Sequence, residues 1–118
     1  MEHHDLLAGF VRLHVLHHAA EHEIYGQWMI DELARHGYRL SPGTLYPMLH
    51  TMERRGYLTS RVERVGRSTR KSYRATECGV RGLTVAKLRV REFIGEAFGP
   101  SPGNEASDER DASSGNPR

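Results

Sequence analysis

Eight basic residues, Arg54, Arg55, Arg61, Arg64, Arg67, Arg70, Lys71 and Arg74, fall between positions 54 and 74, with one acid, Glu63, among them. Cationic groups at that density suit phosphate oxygens, which accept charge-assisted hydrogen bonds and give up counterions as they do so. The bland alternative is a solvated charged face. Just upstream lies LSPGTLYPMLHTMERRGYL, residues 40–58. There Ser41, Thr44, Tyr46, His50 and Arg54 all carry groups that can donate to phosphates or to base edges.

The histidines are the second chemical cluster. Six of the eight, His3, His4, His14, His17, His18 and His22, fall within the first 22 residues. His14, His18 and His22 recur every four residues, so on a helix they share one face, and Glu21 stands four from His17. Imidazoles at that spacing can chelate Zn²⁺ or Cd²⁺, with a carboxylate completing the set. The alternative is single exposed or packed rings that titrate near neutral pH. No cofactor beyond this candidate metal is expected. Cys78 falls in the first turn of a helix between Arg74 and Arg81; a small packing residue and a redox-sensitive thiol are the two readings.

The elements that must position these groups can be read from the pattern. Residues 5–20 suggest a helix with Leu6, Leu7, Phe10, Leu13 and Leu16 inward and Asp5 as its cap. Residues 25–36 suggest a second helix, with Trp28, Ile30 and Leu33 inward and Gly37 as its stop. Ser41 then reads as an N-cap followed by Pro42 at the first helical position, and the helix runs to about Arg55 before Gly56. Leu45, Leu49 and Met52 form its inward stripe, while Thr44, Pro47, His50, Thr51 and Arg54 lie opposite, with Tyr46 between. Pro47 is placed near the first turn, where it disturbs the ladder least. LTSRVERV and RKSYRAT alternate as two strands joined by GRST, a hairpin with a basic tip. Thr76 caps a long helix from Glu77 to about Phe98. Its apolar Leu83, Val90, Phe93, Ile94 and Ala97 form a stripe broad enough to pack on the first helix, on a second copy of the chain, or on both, and these five are the candidate dimerisation residues.

This order, helix, helix, capped helix and basic hairpin, is that of a winged helix-turn-helix. The fold class is therefore mainly α with a small β-hairpin. Residues 1–76 form the winged domain, 77–98 a dimerisation helix, and 99–118, with four acids among Ser, Gly and Pro, a disordered tail.

Several segments also resemble the PadR family of bacterial transcriptional regulators: Tyr25-Gly26, Ser41-Pro42-Gly43-Thr44-Leu45-Tyr46-Pro47-Met48-Leu49, Met52-Glu53-Arg54-Arg55-Gly56-Tyr57-Leu58, and Gly66-Arg67 through Arg70-Lys71 to Tyr73-Arg74-Ala75-Thr76-Glu77. The resemblance covers about residues 5–98. It implies a dimer that represses by occupying promoter DNA, with Ser41, Thr44, Tyr46 and the Arg67–Lys71 wing facing the DNA. Gln27 and Ser72 stand where the family often has aromatics. Ser68-Thr69 replaces a single proline, which lengthens the expected wing tip by one residue. A single C-terminal helix is similar to the short-form members, some of which hold flat aromatic drugs between interface tryptophans; the only tryptophan here, Trp28, lies in the second helix.

The chain has 118 residues, a net charge of +2 and a sequence pI near 8.9. One cysteine excludes an internal disulfide framework, and no apolar run suggests a membrane span or a signal peptide, so a cytoplasmic location is expected. No nucleotide-binding glycine loop, HExxH or nucleophile elbow suggests an enzyme. The expectation is a DNA-binding repressor released by a small effector or metal, a homodimer on a palindromic operator. The competing reading is a winged helix used only for protein contacts.

Overall fold

The computed structural model describes residues 2–100. Its elements are α1 (His4–Glu21), β1 (Ile24–Tyr25), α2 (Gly26–Arg35), α3 (Pro42–Arg54), β2 (Leu58–Val65), β3 (Ser68–Ala75) and α4 (Glu77–Phe98). The strands make one antiparallel sheet in the order β1-β3-β2. Helices on one face of a small sheet with a long hairpin give the winged helix-turn-helix that the order of elements predicts. The expected tail lies outside the described residues from 101 onward. Among the described residues no helix is long and apolar enough to cross a membrane.

Two turns follow from glycine. Gly37 and Gly56 adopt φ of +91° and +87°, open to glycine at no steric cost. After α2, Gly37 N–H donates to Ala34 C=O and Tyr38 N–H to Leu33 C=O; after α3, Gly56 pairs with Glu53 and Tyr57 with Met52 in the same way. Both are Schellman motifs, which satisfy the last helical carbonyls and turn the chain sharply. α2 and α3 thus become the two arms of the helix-turn-helix.

The core joins Val11, Val15, Leu16 and Ala19 of α1 to Met29 and Leu33 of α2. Leu45, Leu49 and Met52 of α3, Ile24, Leu58 and Tyr73 of the sheet, and Leu83 of α4 complete it. The α3 stripe is as expected. The α1 stripe is borne out only in part: Leu16 is buried and Leu13 packs against the core, but Leu6 is 75% exposed and Phe10 is exposed, while Val11, Val15 and Ala19 point inward. α1 is apolar around most of its circumference, so its sequence offers two stripes, and packing against the rest of the core draws from both. In α2 Met29 is buried beside Leu33, and Trp28 is 40% exposed. Asp5 does not cap α1, whose N-cap is His3; its carboxylate accepts the Leu6 N–H instead.

Pro47 lies in the second turn of α3, one turn further in than expected, so one backbone bond of that helix is missing. The hairpin is tighter than GRST suggests. Val65 pairs with Ser68, which leaves only Gly66 and Arg67 in the turn. Gly66 has φ of +61° and Arg67 has no positive φ, the pattern of a two-residue type II′ turn that suits strand twist. Ser68 and Thr69 therefore extend β3 and do not lengthen the tip. β1 was hidden: Ile24 pairs with Tyr73 and Tyr25 with Ser72, which makes β3 the central strand and buries both Ser72 and Tyr73.

The first compact unit runs through Thr84 and takes in the start of α4, where Gly79 and Leu83 are buried. Leu83, expected at a contact between copies, thus belongs to the core of its own chain. Thr76 caps α4 as expected, accepting the Gly79 N–H at 3.0 Å. Its hydroxyl donates to the Gly56 carbonyl, and its N–H to Tyr57 C=O. The second unit, from Val85, continues α4 to Phe98 with Val85, Leu88, Phe93, Ile94 and Phe98 exposed, Val90 half-buried and Ala97 exposed. Cys78 is exposed, so it is not the packing residue that its size suggested.

Candidate nucleic-acid interface

α3 turns its buried stripe to the core and leaves Ser41, Tyr46, Pro47, His50 and Arg54 exposed, with Thr44 and Thr51 half-buried beside them. All five positions expected on this helix therefore reach its outer side. Ser41 is the N-cap residue but makes no side-chain bond to the backbone; its hydroxyl donates to Thr44 Oγ1 at 3.4 Å. The N–H groups of Thr44 and Leu45 both go to Ser41 C=O, and Pro42 has none, so the helix start offers fewer free donors than its sequence implies. Arg54 donates to Thr51 Oγ1 at 3.2 Å, which steadies the exit of the helix.

The wing divides its charges between two faces. Leu58, Ser60, Val62 and Arg64 share one face with Thr69, Lys71, Tyr73 and Ala75, because directly paired residues of antiparallel strands point the same way. This is the face toward α3: Glu53 accepts from Ser60 Oγ at 2.6 Å and lies 3.8 Å from Lys71 Nζ. The opposite face carries Arg61, Glu63, Arg70, Ser72 and Arg74, with Tyr25 beside Ser72. There Arg61 makes a two-pronged pair with Glu23, at 2.8 and 3.0 Å, and also reaches Glu63. Arg70 bonds Glu63 at 3.3 Å and stacks over Tyr25 with its guanidinium carbon 4.0 Å from the ring centre. The Arg61 hydrogen bond holds Glu23 below the usual carboxylate range and raises Arg61 above its ordinary value.

Of the expected wing residues, Arg67 is free at the tip, Lys71 faces α3 but is shared with Glu53, and Arg70 points away and is engaged. Arg64, which sequence reading did not single out, stands on the α3 face, and neither it nor Arg67 has a carboxylate partner among the described residues. The period-2 line from Leu58 through Ser60 and Val62 is the signal that could have found it.

The histidines gather where α1 meets α2, in a different arrangement from the one their spacing suggests. His14 stacks near His36 and Tyr38, with ring centres 5.1 and 5.2 Å away. His18 and His22 set their rings edge-on against Trp28, at 5.2 and 5.1 Å. Glu32, its side chain only 11% exposed, lies 3.4 Å from His18 Nε2 and 3.1 Å from His36 Nε2, and takes Arg35 at 2.9 Å. Among the described residues no three His, Cys, Asp or Glu side chains converge as a metal cage, so His14, His18 and His22 as placed do not fit one.

This corner carries a pH dependence. Burial pushes His14 below the ordinary imidazole value, helped by His36, His18 and His17, with Glu32 opposing. Burial likewise lowers His18, helped by His17 and His22 and opposed by Glu32 and Glu21. Glu32 is held low, first by its hydrogen bond to His36. Near the folded pKa of each imidazole the unfolded chain binds more protons than the folded one. Stability is therefore full above about pH 6.5 and falls as pH drops from there toward the folded values. Thermal melts should show a lower Tm at about pH 5.5 than at about pH 7.5, and His14→Gln/His18→Gln should narrow that difference whatever its own Tm. An undiminished difference in the double variant would place the proton uptake elsewhere.

Comparison with known proteins bears on what this surface belongs to. Residues 15–85 match the model of the transcriptional regulator PadR-like family. The chain is 49% identical over 89 residues to transcriptional regulator Rv3488 of Mycobacterium tuberculosis, covering 75% of this chain and 83% of that protein. Among solved structures it is similar to a PadR family transcriptional regulator from Eggerthella lenta, with 29% identity, a TM-score of 0.70, and 82% and 88% of the two chains covered. It also shares its fold with Bacillus subtilis PadR, solved in complex with operator DNA, at 18% identity and a TM-score of 0.61, covering 66% of this chain and 46% of that one. These proteins are regulators and not enzymes, and with its family model spanning most of the folded unit, the chain belongs to the PadR-like family of transcriptional regulators.

Proposed function

We propose that the chain is a sequence-specific DNA-binding repressor that lays α3 in the major groove and the wing along the flanking phosphates. The observation that carries this reading is the placement of Arg64 and Arg67, which have no carboxylate partner among the described residues, on the wing's α3 side and tip, together with the outward Ser41, Thr44, Tyr46, His50 and Arg54 of α3. α3 spans 13 residues, about 20 Å, a length suited to the groove. The operator complex of Bacillus subtilis PadR supports DNA as the partner. The exposed Val85, Leu88, Phe93, Ile94 and Phe98 on α4 support a homodimer, which would favour a palindromic operator with half-sites one turn, about 34 Å, apart. The location that suits such a regulator is the cytoplasm. Release by a small effector or metal belongs to the same reading, though among the described residues no three donors converge to favour the metal.

Selection of duplexes from a random-sequence pool, followed by fluorescence anisotropy at two salt concentrations, tests this. A palindromic consensus bound with steep salt dependence is the expected result. Failure to enrich any sequence would overturn the proposal in favour of a winged helix that contacts proteins. Adding Zn²⁺ or Cd²⁺ to the same titration decides the metal, and light scattering at micromolar concentration decides the dimer.

A further inference from the structure

Gly26 opens α2 and is buried, although a glycine at the start of a helix has no conformational need to be there. Its φ is not positive. The reason is spatial. A Cβ built on Gly26 would clash with Cε1, Cζ and the hydroxyl of Tyr46. Gly9, in the middle of α1, has nothing within 4 Å of the same position. Tyr46 reaches from α3 across to the first residue of α2 and lays its ring edge where a side chain would otherwise be. It is nonetheless 36% exposed, so the ring is held on one side and open on the other. Among the described residues its hydroxyl takes part in no hydrogen bond, so its direction is set by packing, of which the close approach to Gly26 is one part.

We propose that Gly26 is a positioning residue for DNA recognition: lacking a Cβ, it fixes the Tyr46 ring so that the start of α2 and the outer side of α3 present one continuous surface. In a helix-turn-helix the first helix crosses the DNA backbone while the second enters the groove, so a tyrosine seated between them meets DNA at the junction of the two. The inference rests on Tyr46 being part of the interface proposed above. Any side chain at position 26 would push out the far end of a flexible residue and not the backbone. The fold can then persist while the contact is lost.

The test is a double-mutant cycle on the full chain: Gly26→Ala, Tyr46→Ala and the pair, titrated against the selected duplex, with melts of each. Gly26→Ala is expected to weaken binding about tenfold with cooperative melting retained, and to add less than about twofold in the Tyr46→Ala background. Wild-type affinity for Gly26→Ala, with Tyr46→Ala impaired, would overturn the positioning role alone. So would two losses that multiply. Wild-type affinity for Tyr46→Ala would overturn both this inference and the place of Tyr46 in the interface. If Gly26→Ala fails to melt cooperatively, the pair decides: removal of the ring should restore folding and give the affinity of Tyr46→Ala, and an unfolded or weaker pair would overturn the proposal.

Discussion

Replacing Arg64 and Arg67 together by alanine should weaken DNA binding by roughly a hundredfold at about 0.15 M salt, from two charge-assisted contacts each contributing about 1.5 kcal/mol. The slope of log affinity against log salt should flatten by about 1.8, the counterions of two phosphates. Among the described residues neither side chain has a carboxylate partner, and both are exposed, so their loss leaves nothing buried and unpaired. Arg61→Ala/Arg70→Ala removes the same formal charge from the same hairpin. It should cost less than about threefold in affinity, because those guanidiniums are already committed to Glu23, Glu63 and the Tyr25 ring on the far face. Anisotropy titrations of both variants at several salt concentrations decide between the two faces. A larger loss in the Arg61/Arg70 variant would mean that the outer face, and not the α3 face, meets the phosphates.

Formal charge is a weak guide to a binding surface for the same reason. The basic block between 54 and 74 is evident in the sequence, but which of its members are free is not. Arg61 is neutralised by Glu23, 38 residues earlier. Lys71 is shared with Glu53 across the gap between α3 and β3. No spacing rule connects such partners; only the fold does.

Legibility elsewhere follows the same division between local and distant causes. α3, its inward stripe, the two Schellman turns at Gly37 and Gly56 and the Thr76 cap are each decided by residues within a turn or two, and the sequence displays them. The ends of α4 are equally local. The α1 stripe is legible only in part, because two apolar faces meet on that helix and packing against the rest of the core, not periodicity, leaves Leu6 and Phe10 outside while Val11, Val15 and Ala19 turn in beside Leu16. β1 is two residues long and exists because β3 runs beside it. The histidine corner depends on His36 and Glu32, which α2 carries to α1; the four-residue period of His14, His18 and His22 pointed to one another instead. Gly26 stands out in the sequence only as half of the Tyr25-Gly26 pair; the reason for it does not, since the tyrosine that needs the space is 20 positions away.

Gly79 makes the same kind of close approach as Gly26, with the opposite consequence for stability. A Cβ at Gly79 would collide with the Tyr57 carbonyl oxygen, lie 3.1 Å from the Tyr57 carbonyl carbon and 3.3 Å from Leu16 Cδ2. Here the obstacle is backbone, and that backbone cannot easily move: Tyr57 C=O already accepts the Thr76 N–H at 3.1 Å, Tyr57 N–H closes the Schellman turn, and the Thr76 hydroxyl holds Gly56 C=O. Gly79→Ala should therefore cost about 3 kcal/mol, the upper end for overpacking a buried site, and lower Tm by more than about 10 °C. Two other glycines supply the scale. Gly82→Ala would meet only the Tyr57 ring at 3.4 Å, which can shift, and Gly9→Ala meets nothing within 4 Å. The latter should stabilise the chain by about 0.5–1 kcal/mol through helix propensity alone. Thermal melts of the three variants separate the explanations. The order Gly9→Ala above wild type, Gly82→Ala near it and Gly79→Ala far below is what close backbone approach requires. A Gly79→Ala Tm at or above wild type would mean that the first turn of α4 can withdraw from Tyr57 without cost, and that Thr76, not Gly79, holds the helix to the folded unit.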